Sequence, residues 1–159
     1  MKKTIAILLA VVLLAVVCAG CGSSKSGDAT TFTIGLQGDP VSLDPAFAYD
    51  WVANPIVNQV NESLLTFDEN NELKCLLCES WEAVDDVTYV YNIRQDVTFS
   101  NGDPMTMDDV MFSLKRTADP DFGSYLQWMY SSVESIEQTG DWQVTVKLSA
   151  PNANWKYAL

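Results

Sequence analysis

Cys78 to Arg116 reads CESWEAVDDVTYVYNIRQDVTFSNGDPMTMDDVMFSLKR. Across Thr88–Arg94, Tyr89, Tyr91 and Ile93 fall on one side of an extended chain, the two-residue period of a half-buried strand. Val97 and Phe99 repeat that period beyond Gln95-Asp96, so the spacing predicts a neighbouring strand and an antiparallel hairpin. After the Asn101-Gly102-Asp103-Pro104 turn a helix opens. Thr106 is placed to cap it, Asp109 three residues on completes a capping box, and Met105 can staple against Val110. Asp108 and Asp109 sit at the positive end of the helix dipole, Lys115 and Arg116 at the negative end. Met107, Val110, Met111 and Leu114 form the buried stripe, so these charges read as structural, and Asp119-Pro120 ends the helix.

Working outward, Phe32, Ile34 and Leu36 alternate with Thr33 and Gly35 and predict a short strand, broken by Gly38-Asp39-Pro40 and Asp44-Pro45. Asn54-Pro55 predicts a helix start with Asn as cap and Pro at the first helical position, and Val57, Val60 and Leu64 follow on one face. Asp68 to Glu72 is a polar turn. Trp142, Val144, Val146 and Leu148 alternate with Gln143, Thr145 and Lys147, a strand with one buried face after the Thr139-Gly140-Asp141 turn. Short strands with two or three helices make an α/β or α+β unit long enough to bury a core.

The 78–116 stretch also resembles, element by element, the signature region of extracellular solute-binding protein family 5, which serves oligopeptide, dipeptide and nickel ABC importers. The matching features are a Ser-Trp-Glu step, an acidic turn, an aromatic strand ending Ile-Arg, a Val-x-Phe strand, the Asn-Gly-Asp-Pro turn, and Thr-x-x-Asp-Val-x-x-Ser opening a helix. The resemblance implies a type II periplasmic-binding fold of two hinged lobes, of which residues 32–159 would be the N-terminal portion: α/β, a mixed sheet with short helices. Members of that family are several hundred residues long, so the chain reads as roughly the first third of one, truncated where Trp155, Tyr157 and Leu159 lack partners. The sequence departs from the family at Cys75-Leu76-Leu77-Cys78, where a proline and a small residue are common, and at Asp85-Asp86-Val87, where glycine is common after the acidic pair.

The N-terminus reads as an export signal. Lys2 and Lys3 precede an unbroken apolar run from Ile5 to Ala19, and Ala19-Gly20 place small residues before Cys21. Fifteen apolar residues fall short of the about 20 that span a bilayer. Ala-Gly-Cys followed by Gly22-Ser23-Ser24 resembles a lipobox, although Cys18 stands where Leu, Val or Ile is usual. Residues 1–20 are therefore expected to be a signal peptide, Cys21 to be lipidated, and residues 21–31 to be the lipidated cysteine and a flexible tether.

Composition excludes several function classes. Residues 21–159 carry seven Lys and Arg against 21 Asp and Glu, a balance of −14, which opposes nucleic acid and anionic lipid surfaces. Histidine is absent from the sequence, so Ser-His and Cys-His catalysis and the His-bearing zinc and iron sites lack their central ligand. No cofactor or metal is implied. Cys75 and Cys78 admit three readings: buried reduced thiols in a packed turn, a structural disulfide favoured outside the cytoplasm, or a redox or metal pair. Trp81, Tyr89, Tyr91, Phe99 and Trp142 occupy strand positions, where core packing explains an aromatic. Tyr49, Trp51, Tyr125 and Trp128 lie in irregular segments, where binding residues concentrate, and are the expected ligand contacts.

Together these readings describe an extracytoplasmic, lipid-anchored and non-enzymatic substrate-binding component of an ABC importer. By resemblance, it would capture a peptide or similar small solute and deliver it to a permease driven by an ATPase. The alternatives are a small redox lipoprotein using Cys75 and Cys78, and an interaction lipoprotein without a small-molecule ligand.

Overall fold

The computed structural model describes residues 31–159, so the expectations for residues 1–20 and for Cys21 lie outside the described residues. Phe32 to Leu36 forms no strand, and Phe32 is 88% exposed, a correction to the alternation read there. A two-residue period becomes a strand only when a neighbouring edge accepts its amides and carbonyls. No such pairing is made by this segment.

From Leu36 onward, helix α1 (Ala53–Val60) leads into a hairpin of β1 (Leu65–Phe67) and β2 (Leu73–Cys75). Then come β3 (Cys78–Ala83), β4 (Thr88–Ile93), helix α2 (Met107–Ala118), β5 (Val133–Gly140) and β6 (Gln143–Leu148). Short 3-10 turns occupy Gln127–Tyr130 and Trp155–Tyr157. The second sheet has the order β3-β4-β6-β5, and all its pairings are antiparallel. The α/β architecture holds, with antiparallel sheets among the described residues where a mixed sheet was expected.

The strongest sequence signals produced what their spacing predicts. Tyr89, Tyr91 and Ile93 on β4 and Val144, Val146 and Leu148 on β6 are buried, and their cross-strand register places Tyr91 opposite Val144 and Tyr89 opposite Val146. Met107, Val110, Met111 and Leu114 turn the apolar stripe of α2 onto the same core. The capping box is complete: the Asp109 amide donates to Thr106 Oγ1 at 3.3 Å and the Thr106 amide donates to Asp109 Oδ2 at 2.8 Å. Met105 and Val110 are both buried in that core.

Three local expectations are corrected. Val97–Phe99 is not a second hairpin strand, because both edges of β4 are already taken by β3 and β6. The segment folds back on its own turn instead, with the Phe99 amide donating to Asp103 O at 2.8 Å and Met105 to Val97 O at 3.0 Å, and Gly102 supplies the left-handed φ of 92°. Helix α1 begins one residue before Asn54. Its start is organised by Asp50, whose Oδ1 accepts the amides of Val52 (2.7 Å) and Ala53 (3.0 Å). Pro55 then sits in the first turn, where a missing amide hydrogen costs nothing. Finally, Trp155 does not lack partners. It is fully buried, donates its indole N–H to Tyr91 Oη at 3.1 Å, and meets Tyr130 edge-on at 5.2 Å. Tyr157 stacks on Phe67 at 5.8 Å, and Leu159 packs against the core. No helix among the described residues is long and apolar enough to cross a membrane.

Candidate functional site

The irregular chain between Val41 and Val52 is built from short-range polar contacts. Ser42 Oγ accepts the Asp44 amide at 3.0 Å, Asp44 Oδ1 accepts that of Ala46 at 3.0 Å, and Asp44 O accepts those of Phe47 and Ala48. Aspartate and serine side chains that mimic backbone turns in this way suit a loop with no sheet partner. Ala46 and Ala48 are buried, so the alternate residues Phe47 and Tyr49 are directed away from the loop's interior. Ala48, Ala53 and Val57 form a small apolar cluster of their own, separate from the main core.

A second irregular stretch, Asp119–Tyr130, is tied to this loop through Ala46. Its carbonyl accepts both the Tyr125 amide at 3.0 Å and the hydroxyl of buried Ser124 at 2.9 Å. Those two bonds bring four rings together. Phe47 lies 5.2 Å from Phe122 and meets Tyr125 edge-on at 5.7 Å, and Tyr49 meets Tyr125 edge-on at 4.6 Å, the geometries that ring quadrupoles favour. Tyr49 and Tyr125 are each 57% exposed although firmly placed.

Arg116, from the last turn of α2, joins the two stretches by charge. Its guanidinium pairs with Asp44, across 72 residues of sequence, and lies 4.6 Å from the Phe122 ring and 5.8 Å from that of Phe112. Asp50 is held below the usual carboxylate range, chiefly by the Ala53 amide, with the Val52 amide helping and desolvation opposing. Its other oxygen, Oδ2, is buried without a hydrogen-bond partner. Beside the rings lies an open groove of about 630 Å³, with Pro45, Ala46 and Leu126 on one wall and Val110 and Leu114 of α2 on another. That volume is in the range of small-molecule clefts.

Of the four expected ligand contacts, the structure brings Tyr49 and Tyr125 into ring contact. Trp51 (90% exposed) and Trp128 (70% exposed) stand outside the ring pairs. Phe47, Phe122, Asp44 and Arg116 were missed. Arg116 was read as a dipole-compensating charge, and the only signal for more was an arginine close to aromatics. The Cys75 and Cys78 sulfurs lie in bonding contact with Cα atoms 5.2 Å apart, and Cys78 is buried in the main core. Among the described residues no group of three acidic, Cys or His side chains could hold a metal ion.

Comparison with known proteins adds a third line of observation. The family model described as bacterial extracellular solute-binding proteins, family 5 Middle, matches residues 72–159. The oligopeptide-binding protein AppA of Bacillus subtilis is 26% identical over 97% of this chain and 31% of its own length. A dipeptide-binding protein of Lactococcus lactis is 25% identical over 99% and 31%. The chain thus spans about a third of the curated relatives it matches. Among solved structures, NikZ of Campylobacter jejuni in complex with Ni(L-His) superposes with a TM-score of 0.68 at 29% identity, covering 77% of this chain and 24% of that one. AppA of B. subtilis with a nonapeptide gives 0.66 at 28%, covering 71% and 22%.

Proposed function

The chain belongs to the bacterial extracellular solute-binding proteins, family 5, and from that premise we propose that it is part of an extracytoplasmic substrate-binding component of an ABC importer. It captures a peptide or similar small solute and delivers it to a permease and its ATPase, without chemistry of its own. Ligand contacts made only in a closed state would shift an open–closed equilibrium, and the closed form would dock on the permease. The observation that carries this reading is the Tyr49–Tyr125 pair, two half-exposed rings fixed by buried backbone bonds at the rim of a groove. A protein has little reason to order exposed rings that cover no core, whereas a binding surface gains from rigid aromatics that lose little entropy on contact.

Retention at the membrane is assigned to a lipid on Cys21, following a signal peptide at residues 1–20 and a tether at 21–31, as the order of charge, apolar run and Ala-Gly-Cys supports. Cys75 and Cys78 are assigned to a structural disulfide. A redox role needs an exposed thiol of lowered pKa, and buried Cys78 is the opposite environment. Calorimetric titration with a dipeptide and oligopeptide set tests the capture reading. Tyr49→Ala and Tyr125→Ala should each weaken a measurable affinity by about 1–2 kcal/mol, the scale of one lost aromatic contact. Unchanged affinity in both, with lowered melting temperatures, would return these rings to a packing role.

A further inference from the structure

Resting on that reading, we propose that the aromatic patch selects solutes carrying an ammonium or guanidinium group, and that Tyr49 and Tyr125 offer the ring surfaces on which the cation sits. The first observation is a cation already seated on this patch. The Arg116 guanidinium lies 4.6 Å from the Phe122 ring centroid, within cation–π range, while Tyr49 and Tyr125 of the same ring cluster are more than half exposed.

The second observation is the charge around the rings. The loop from Gly38 to Ala53 carries Asp39, Asp44 and Asp50, the stretch from Asp119 to Ser131 carries Asp121 as well as Asp119, and neither contains a Lys or Arg. Asp44 is neutralised by Arg116, and Asp50 is kept ionised by the Val52 and Ala53 amides. Four carboxylates therefore remain without a basic partner in either stretch, on a chain whose balance is already strongly negative. A field of one sign beside a partly apolar concavity concentrates the opposite charge, and a ring face adds attraction that an isolated carboxylate lacks. An anionic solute meets repulsion from the same groups.

The test is an NMR titration of the full chain, reading the Tyr49 and Tyr125 ring resonances, with trilysine, triglycine, triglutamate and spermidine as probes. Trilysine should shift both rings and saturate about tenfold below triglycine, with triglutamate silent. Asp119→Asn with Asp121→Asn should weaken trilysine, as should salt rising from about 0.01 M to about 1 M. Tyr125→Ala should remove the preference and Tyr125→Phe, which keeps the ring, should retain it. Spermidine equal to trilysine shows that charge alone is read, and a weaker spermidine shows that the peptide is read as well; either sustains the proposal. Triglycine or triglutamate saturating as tightly as trilysine, and still depending on Tyr125, overturns cation selection and leaves solute capture standing. No shift of either ring by any probe, or binding indifferent to Tyr49→Ala and Tyr125→Ala, overturns both.

Discussion

Trp155 shows how much one residue can hold in a fold of this size. Its indole fills the space between β4 and the Gln127–Tyr130 turn, donates to Tyr91 Oη and leaves no surface exposed. Trp155→Ala should therefore cost about 3–5 kcal/mol, the range for deleting a large buried aromatic, measured by urea unfolding. Tyr91→Phe keeps the ring but strands the buried indole N–H, and should cost about 1–3 kcal/mol. A loss below half a kcal/mol in both would show that the C-terminal turn does not belong to the core. Burial drives the Tyr91 hydroxyl well above its ordinary pKa despite the Trp155 bond, and pushes Tyr130 up to about 12. Nothing in the Asn152–Leu159 sequence foretold this. Trp-x-Tyr-x-Leu reads equally as an exposed apolar end, and only the location of Tyr91 makes it a core segment.

At the level of elements, helix α2 was the best specified because its signals are local. Cap, staple, stripe and dipole charges all lie within about a dozen residues and agree with one another. Thr106→Ala should destabilise by about 1 kcal/mol in denaturant melts, and adding Asp109→Ala should cost less than a second full increment, since the two groups serve one box. Additive losses would mean that the two bonds act independently. The crossover from β2 to β3 depends on a different device. Leu76 and Cys78 amides donate to Leu64 O, Arg94 Nη1 donates to Leu76 O at 3.1 Å, and the cysteines close the bend. Replacing both cysteines with alanine should cost about 2 kcal/mol on the chain-entropy scale for so small a loop, without removing solute binding. Peptide mapping after alkylation, with and without reductant, checks the pairing itself, and labelling of Cys75 and Cys78 without reductant would refute it. Strand β5 escaped sequence reading because its Glu134, Glu137 and Gln138 give no clean alternation, and only Ile136 is buried. A sheet-edge strand needs one apolar contact and a neighbour, not a pattern.

For the whole molecule, acid is the sensitive direction. Asp50, Asp68, Asp85, Asp96 and Asp109 all titrate below their ordinary value. The leading causes are the amides of Ala53, Glu72 and Val87 for the first three, the Arg94 side chain for Asp96 and the Thr106 side chain for Asp109. A depressed folded-state pKa contributes stability that is present above the unfolded value of about 4 and is lost as pH falls through the folded one. Melting temperature should therefore fall progressively below about pH 4 and change little between about pH 5 and 7. A flat profile down to about pH 2 would refute the linkage. The sequence by itself determined the parts whose information is local or periodic: the capped helix α2, the aromatic strand β4, the buried face of β6, the polar turn at Asp68–Glu72 and, through their order, the family. Tertiary structure alone decided which strands are neighbours, so Val97–Phe99 lost its strand to the already occupied edges of β4 and Trp155 gained a place in the core. It also decided the site. Tyr49 and Tyr125 meet, and Arg116 reaches Asp44, because backbone bonds at Ala46 join segments more than seventy residues apart, and contact at that separation leaves no period or spacing in the chain to read.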